Sequence, residues 1–193
     1  RMHAMHTLVD ALSTMRGLYV TNDYTYVALG FRGVSPLGDF SNRVQTQVDG
    51  HVINLSYDGS SNMAFEGICG LIGVDRIEVV RGPGSALYGS GATFGVLNVS
   101  TPDAVDDDAG SLGLTALSNG MYGIWGRAAA RLSAESWVWI AGGLVYAEPH
   151  DYVSPSRVGS DDFPDGRAEG VGEQVAGNVT GKAHWRDLTL QWF

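Results

Sequence analysis

Charge is scarce in this chain of 193 residues: Asp, Glu, Lys and Arg make up 17% of it, against about 25% in an average soluble domain. The balance is acidic, with a formal net charge of −9. A nucleic-acid partner needs a clustered basic face and is therefore not expected. Cysteine is nearly absent. The single Cys69 excludes an internal disulfide and a multi-cysteine metal site, and its Gly/Ile/Leu surroundings predict a buried structural thiol. Long apolar runs are missing too, since no segment approaches the roughly 18 residues of a membrane helix. No signal peptide is visible, and the chain opens Arg1-Met2-His3 instead of on an initiator methionine. The expectation is a fragment of a longer protein.

Catalytic and cofactor signatures are also lacking. Gly84 and Gly89 have the spacing of half a phosphate loop, but Ser90-Gly91 stands where Lys-Ser/Thr is required. Gly89-Ser90-Gly91 lacks the third glycine and the βαβ context of a dinucleotide site. There is no G-x-S-x-G nucleophile elbow. His3 and His6 have no third ligand nearby, so no metal is expected there. Asp161, Asp162 and Asp165 lack the glycine and glutamate of a calcium loop and read as a solvated acidic segment. The chain is expected to be no enzyme and to hold no cofactor.

What is present is glycine (27 residues), 44% hydrophobic and 10% aromatic residues, a composition suited to a β-rich protein that buries a core. Leu8, Ala11, Leu12 and Met15 recur at helical spacing. Thr7 and Asp10 are placed as a capping box, and Gly17 suits the exit. Short strand-like runs follow at 18–21, 26–32, 43–48, 76–80 and 95–100, with Asp49-Gly50 as a turn signal. Pro102, Asp103 and Asp106-Asp107-Asp108 form a polar break. The boundary falls there, giving units at 1–104 and 110–193.

The second unit is different in texture. Runs at 111–119, 122–132, 137–146, 171–186 and 188–193 are long and carry few charges. In the fourth, Val171, Val175, Val179, Ala183 and Trp185 share one face, and Gln174, Asn178, Thr180, Lys182, His184 and Arg186 share the other. In the second, Tyr122, Ile124, Ala128, Ala130 and Leu132 oppose Arg127 and Arg131. An apolar outside with a polar inside is the transmembrane-barrel pattern, although a soluble sandwich also alternates. Connections are short except for a polar stretch from Glu148 to about Gly170, and short turns opposite long loops favour the barrel. Trp137, Tyr146, Tyr152 and Trp185 would suit interfacial girdles.

The most specific stretch runs from Val74 to Thr101, VDRIEVVRGPGSALYGSGATFGVLNVST. It reads as a strand, a Gly82-Pro83-Gly84 turn, a short helical turn, a glycine-rich bend and a second strand. This stretch resembles the hallmark of TonB-dependent receptor plugs. Tyr19–Asp23, Leu29-Gly30-Phe31-Arg32-Gly33 and Val48-Asp49-Gly50-His51-Val52-Ile53-Asn54 resemble the family's earlier plug segments, in family order. Gln47, Leu97 and Ser100 depart from the family pattern, and no TonB-box-like segment precedes the helix.

The resemblance implies an α+β plug domain, a mixed sheet with short helices, followed by antiparallel transmembrane β-barrel strands. The family's barrel has about 22 strands, so about five here form an incomplete barrel. It further implies a receptor in the outer membrane of a Gram-negative bacterium, in contact with outer-membrane lipid, that imports a scarce small molecule. A ferric siderophore is the foremost cargo; cobalamin, haem and oligosaccharide are alternatives. A TonB-type energy-transducing protein would act through an N-terminal box missing here. Arg32, Glu78 and Arg81 would form a plug–barrel network, and Phe40, Tyr57, Asp58 and Tyr88 would contact ligand. A different class stays open: an orphan plug acting as a periplasmic binding or signalling module, or a truncated relic.

Overall fold

A computed structural model describes residues 7–22, 27–34, 40–61, 71–105, 109–118, 120–159 and 164–193. Cys69, His3, His6, Asp106–Asp108, Asp161 and Asp162 lie outside the described residues.

The chain opens with helix α1 (Leu8–Ser13). Its capping box is formed: the Asp10 N–H donates to Thr7 Oγ1 and the Thr7 N–H to Asp10 Oδ2, at 3.2 and 2.9 Å. Strands β1 (Leu18–Asn22) and β2 (Val27–Phe31) pair antiparallel. A four-stranded mixed sheet follows, built from β3 (Val44–Val48), β4 (His51–Val52), β5 (Arg76–Arg81) and β6 (Gly95–Ser100) in the order β4-β3-β6-β5. Strands β3 and β6 run parallel, and the other pairings are antiparallel. The turn between β3 and β4 has positive φ at both Asp49 (47°) and Gly50 (81°). This is the primed geometry that a two-residue hairpin requires, and it is why the Asp-Gly pair stands there.

Leu8, Leu12, Leu18, Leu29, Phe31, Val44, Leu97 and Val99 form one buried cluster. It places α1 and the β1–β2 pair over one face of the mixed sheet, held by removal of apolar area from water. A short 3-10 turn (Leu71–Gly73) leads into β5, and the four-residue helix α2 (Ser85–Tyr88) separates β5 from β6.

A five-stranded antiparallel sheet comes next: β7 (Ala109–Leu117), β8 (Met121–Ser133), β9 (Ser136–Ala147), β12 (Gln174–Trp185) and β13 (Leu188–Trp192), in the order β13-β12-β9-β8-β7. It is an open sheet. Strands β10 (His150–Val158) and β11 (Asp165–Val171) pair only with each other. The polar stretch after Glu148 is thus folded as a hairpin instead of an unstructured loop. The run 171–186 is divided, because Gly170 and Gly172 take φ of 68° and 82° and end β11 before β12 begins.

The polarity of the five-stranded sheet is inverted relative to a soluble domain. On its outer face Leu112, Leu114, Tyr122, Ile124, Leu144, Val175, Val179, Leu188 and Leu190 are exposed, Leu114 by 79%. On its inner face Thr180 and Lys182 are buried. Period-two alternation and the register put every second residue on this inner face, the side that meets the N-terminal unit. Trp137 shares the inner face with Trp139, where its ring stacks on His184 at 5.3 Å between centroids. It therefore does not face outward, whereas Trp185 and Tyr146 are exposed on the outer face.

Candidate functional site

Where the two sheets meet, three strands of the five-stranded sheet place three side chains in one row. The register pairs Lys182 of β12 with Trp139 of β9 on one side and with Gln191 of β13 on the other. Together the three reach Pro102, Asp103 and Asp49 of the N-terminal unit. Trp139, with no exposed surface, donates its Nε1–H to the Pro102 carbonyl at 3.1 Å. Lys182 Nζ lies 2.7 Å from Asp103 Oδ1 and 3.2 Å from Asp49 Oδ2. Gln191 Nε2 donates to Asp49 Oδ2 at 2.6 Å.

Asp49 is the centre of this joint. Its carboxylate also accepts from the Thr101 N–H at 2.8 Å and from the Thr101 hydroxyl. Its own N–H donates to the Val99 carbonyl at 2.9 Å. Burial is the largest single influence on its pKa and acts to raise it. The Thr101 hydroxyl and N–H, with the Lys182 ammonium, outweigh burial and hold the carboxyl below its usual range. Lys182 is 3% exposed and a buried ammonium must be paired, which its two carboxylates accomplish.

Beside the polar row lies an apolar patch. Val105, Ala129, Trp139 and Ala141 are buried together, with Ile72 and Trp137 packed against them. Gly73 is where the 3-10 turn comes closest to the wall: a Cβ there would stand 2.9 Å from Thr180 Cγ2 and 3.4 Å from Ala141 Cβ. The small residues on β8 and β9 make the room that this approach needs.

The row sits three positions from the strand ends Ser136, Trp185 and Leu188, which flank the short connections Ala134-Glu135 and Arg186-Asp187. At about 3.4 Å per residue that is roughly 10 Å. The β10–β11 hairpin and the turn after β7 lie at the other end.

The residues singled out from the sequence lie elsewhere on the N-terminal unit. Arg81 donates from Nη1 to the Arg16 carbonyl at 2.6 Å, tying β5 to the turn between α1 and β1. Glu78 accepts from Asn98 Nδ2 at 3.3 Å and lies 3.4 Å from Arg76 Nε. Arg32, in the left-handed region at φ 50°, donates its N–H to the Gly17 carbonyl at 2.9 Å. Among the described residues these three make their contacts apart from one another. Phe40, Tyr57 and Asp58 occupy loops and Tyr88 ends α2, all at the Val44–Arg81–Gly95 end of the mixed sheet, opposite Asp49.

Those loops are joined to one another and to the sheet. The Ser61 N–H donates to the Phe40 carbonyl at 3.1 Å. Asn54 accepts from the Thr46 N–H at 2.7 Å and donates to the Val44 and Gly59 carbonyls, both at 2.8 Å. Tyr57 stands 82% exposed at the tip of the loop so fixed. The Asp58 carboxylate is engaged locally by the Ser60 N–H at 2.9 Å, which lowers its pKa.

Sequence reasoning placed Lys182 on the polar face and Asp49 in a turn, and joined neither to the other. One signal was available. Lys182 is the only lysine of the chain, and it stands on the inward face of a strand whose outward face is apolar.

Comparison with known proteins fits this arrangement. The family model described as the TonB-dependent receptor plug domain matches residues 1–96. The chain is 36% identical over 118 residues to the vitamin B12 transporter BtuB of Vibrio vulnificus strain CMCP6, covering 58% of this chain and 18% of that protein. The siderophore receptor PirA from Acinetobacter baumannii superposes with a TM-score of 0.66 at 17% identity, over 97% of this chain and 28% of that one. The ferric yersiniabactin uptake receptor FyuA from Yersinia pestis does so at 0.63 and 20% identity, over 95% and 27%. At these identities the structural likeness is one of fold: a mixed-sheet plug followed by antiparallel strands of a barrel that these five do not close. The chain spans less than a third of the length of each of these proteins.

Proposed function

The chain belongs to the TonB-dependent receptor family, and from that premise we propose that it serves as an outer-membrane receptor for active uptake of a ferric siderophore. Residues 1–104 are the plug and residues 110–193 the first stretch of barrel wall. The observation that carries the reading is the inverted sheet, apolar toward the outside and polar toward the plug. Strands β8, β9 and β12 have 13, 12 and 12 residues. A tilted membrane strand needs about 9–11.

In such barrels short turns face the periplasm and longer loops face the exterior. On that rule the Asp49–Lys182 joint lies toward the periplasm of a Gram-negative outer membrane, and the β10–β11 hairpin lies outside. Phe40, Tyr57, Asp58 and Tyr88, at the end of the plug sheet away from the joint, are the candidate ligand contacts. Tyr57 on its Asn54-held loop is the foremost, since a rigid exposed aromatic costs little entropy to use. Arg32, Glu78 and Arg81 are candidates for contacts to further parts of a barrel wall. A TonB-type energy-transducing protein in the periplasm would supply the work of moving the plug.

Cobalamin is the second reading, favoured by the sequence relative named as a vitamin B12 transporter. Titrating the purified protein in detergent with ferric siderophores, and separately with cyanocobalamin, separates the two through tryptophan fluorescence. Saturable quenching by a ferric siderophore alone is expected. Saturation by cyanocobalamin alone would replace the first reading with the second, and no saturation by either would remove both.

A further inference from the structure

Lys182 has two carboxylates, and they belong to opposite sides of the seam. Asp49 moves with the plug, because its side chain is bonded to Thr101 and its N–H to the Val99 carbonyl of β6. Asp103 stays with the wall, because the preceding Pro102 carbonyl is held by Trp139 and the nearby Val105 is buried against Ala129 and Trp139. Among the described residues, a surface drawn between Thr101 and Pro102 therefore cuts the polar joint at two contacts, Asp49 to Lys182 and Asp49 to Gln191. Its apolar part consists of Ile72 and Gly73 against Trp139, Ala141 and Thr180.

Each half is satisfied without the other. On the plug side Asp49 keeps both Thr101 bonds. On the wall side Lys182 keeps Asp103, the nearer carboxylate at 2.7 Å. Asp103 is 88% exposed, so water supports its charge whether or not Asp49 is present. Opening an ordinary buried pair strands a charge in a poor dielectric, and that is what makes such pairs costly to break. Here the ammonium is never stranded.

We infer that Asp103 is a standby counter-ion for Lys182, and that the Asp49–Lys182 joint is a release seam at which the β3–β4 hairpin undocks reversibly from the wall, hinged between Thr101 and Pro102. The inference rests on the gating reading for its purpose, since a plug that must move needs a joint that parts and re-forms. Its test does not depend on cargo.

Hydrogen exchange at residues 44–52, followed by mass spectrometry on the protein in detergent micelles, reads the opening of this hairpin. Asp49→Asn is expected to speed exchange there about tenfold, because the wall keeps its Lys182–Asp103 pair. Asp103→Asn is expected to slow it by about the same factor, because Asp49 becomes the only counter-ion and its departure would strand Lys182. Two carboxylate-to-amide changes at one lysine thus act in opposite directions. If both speed exchange, both carboxylates are simple tethers and the inference is overturned. Lys182→Met supplies the second reading: in that background Asp103→Asn should leave exchange within about twofold of Lys182→Met alone. A larger change there would show that Asp103 acts other than through Lys182 and would also overturn it.

Discussion

Lys182 Nζ, on an inward-facing position of β12, lies 3.2 Å from the carboxylate of Asp49, which sits in the plug's β3–β4 turn 133 positions earlier. Lys182→Met should loosen this joint. Both carboxylates lose the ammonium, but Asp49 retains Thr101 and Gln191, and Asp103 returns to water. The expected loss is about 1–3 kcal/mol of plug stability, below the full cost of stranding a buried charge because no charge is stranded. Urea unfolding followed by limited proteolysis of the plug measures it.

The Asp49 side of the joint should respond to acid. Asp49 has a pKa lowered in the folded state, so its contribution is fully present above the unfolded value of about 3.9. It disappears as pH falls through the lowered folded value. Plug stability is therefore expected to be flat, as far as Asp49 is concerned, from neutral pH to about pH 5, and to fall below about pH 4. Asp49→Asn should remove that fall, which a pH series of unfolding midpoints would reveal.

Gly73→Leu tests the apolar half of the seam. A Cβ at this position meets Thr180 Cγ2 at 2.9 Å, with Ala141 and Trp139 close behind. A full side chain cannot fit unless the 3-10 turn lifts from the wall. The expected cost is about 1–3 kcal/mol, the usual penalty of overpacking. Near-ultraviolet circular dichroism should change with it, since Trp139 lies in the contact.

The outer face makes a depth-dependent prediction. Val179 is mid-strand in β12 and Val175 lies near its start; both point outward. Val179→Arg should cost about 2–4 kcal/mol of folding stability in lipid vesicles, and Val175→Arg about 0–1 kcal/mol. A soluble sheet would show no such gradient, because water reaches both positions alike.

How much of this was legible in the sequence depends on the range of the signal. Thr7 and Asp10 are three positions apart and their capping box formed as read. Asp49-Gly50 carries its turn chemistry in two adjacent residues. The alternation of Val175, Val179 and Trp185 against Thr180 and Lys182 gave the correct faces, because side-chain period is local to a strand. The β10–β11 hairpin was missed: its strands are polar and bounded by register shifts, so they carry no clean alternation. The Asp49–Lys182–Asp103 joint was missed for a different reason. Three residues at 49, 103 and 182 meet only through the packing of one sheet on another, and no periodicity connects them. Arg32, Glu78 and Arg81 stand in the most distinctive motifs, yet the last two make contacts within the plug.

Accumulation of a panel of radio-iron-labelled siderophores, in cells producing this receptor with and without the TonB-type protein, tests the central claim most directly. The account predicts uptake of at least one ferric siderophore that requires both the receptor and the energy-transducing protein. Tyr57→Ala should weaken that uptake while leaving the amount of folded receptor unchanged. Uptake of every siderophore at the same rate with and without the receptor would contradict it.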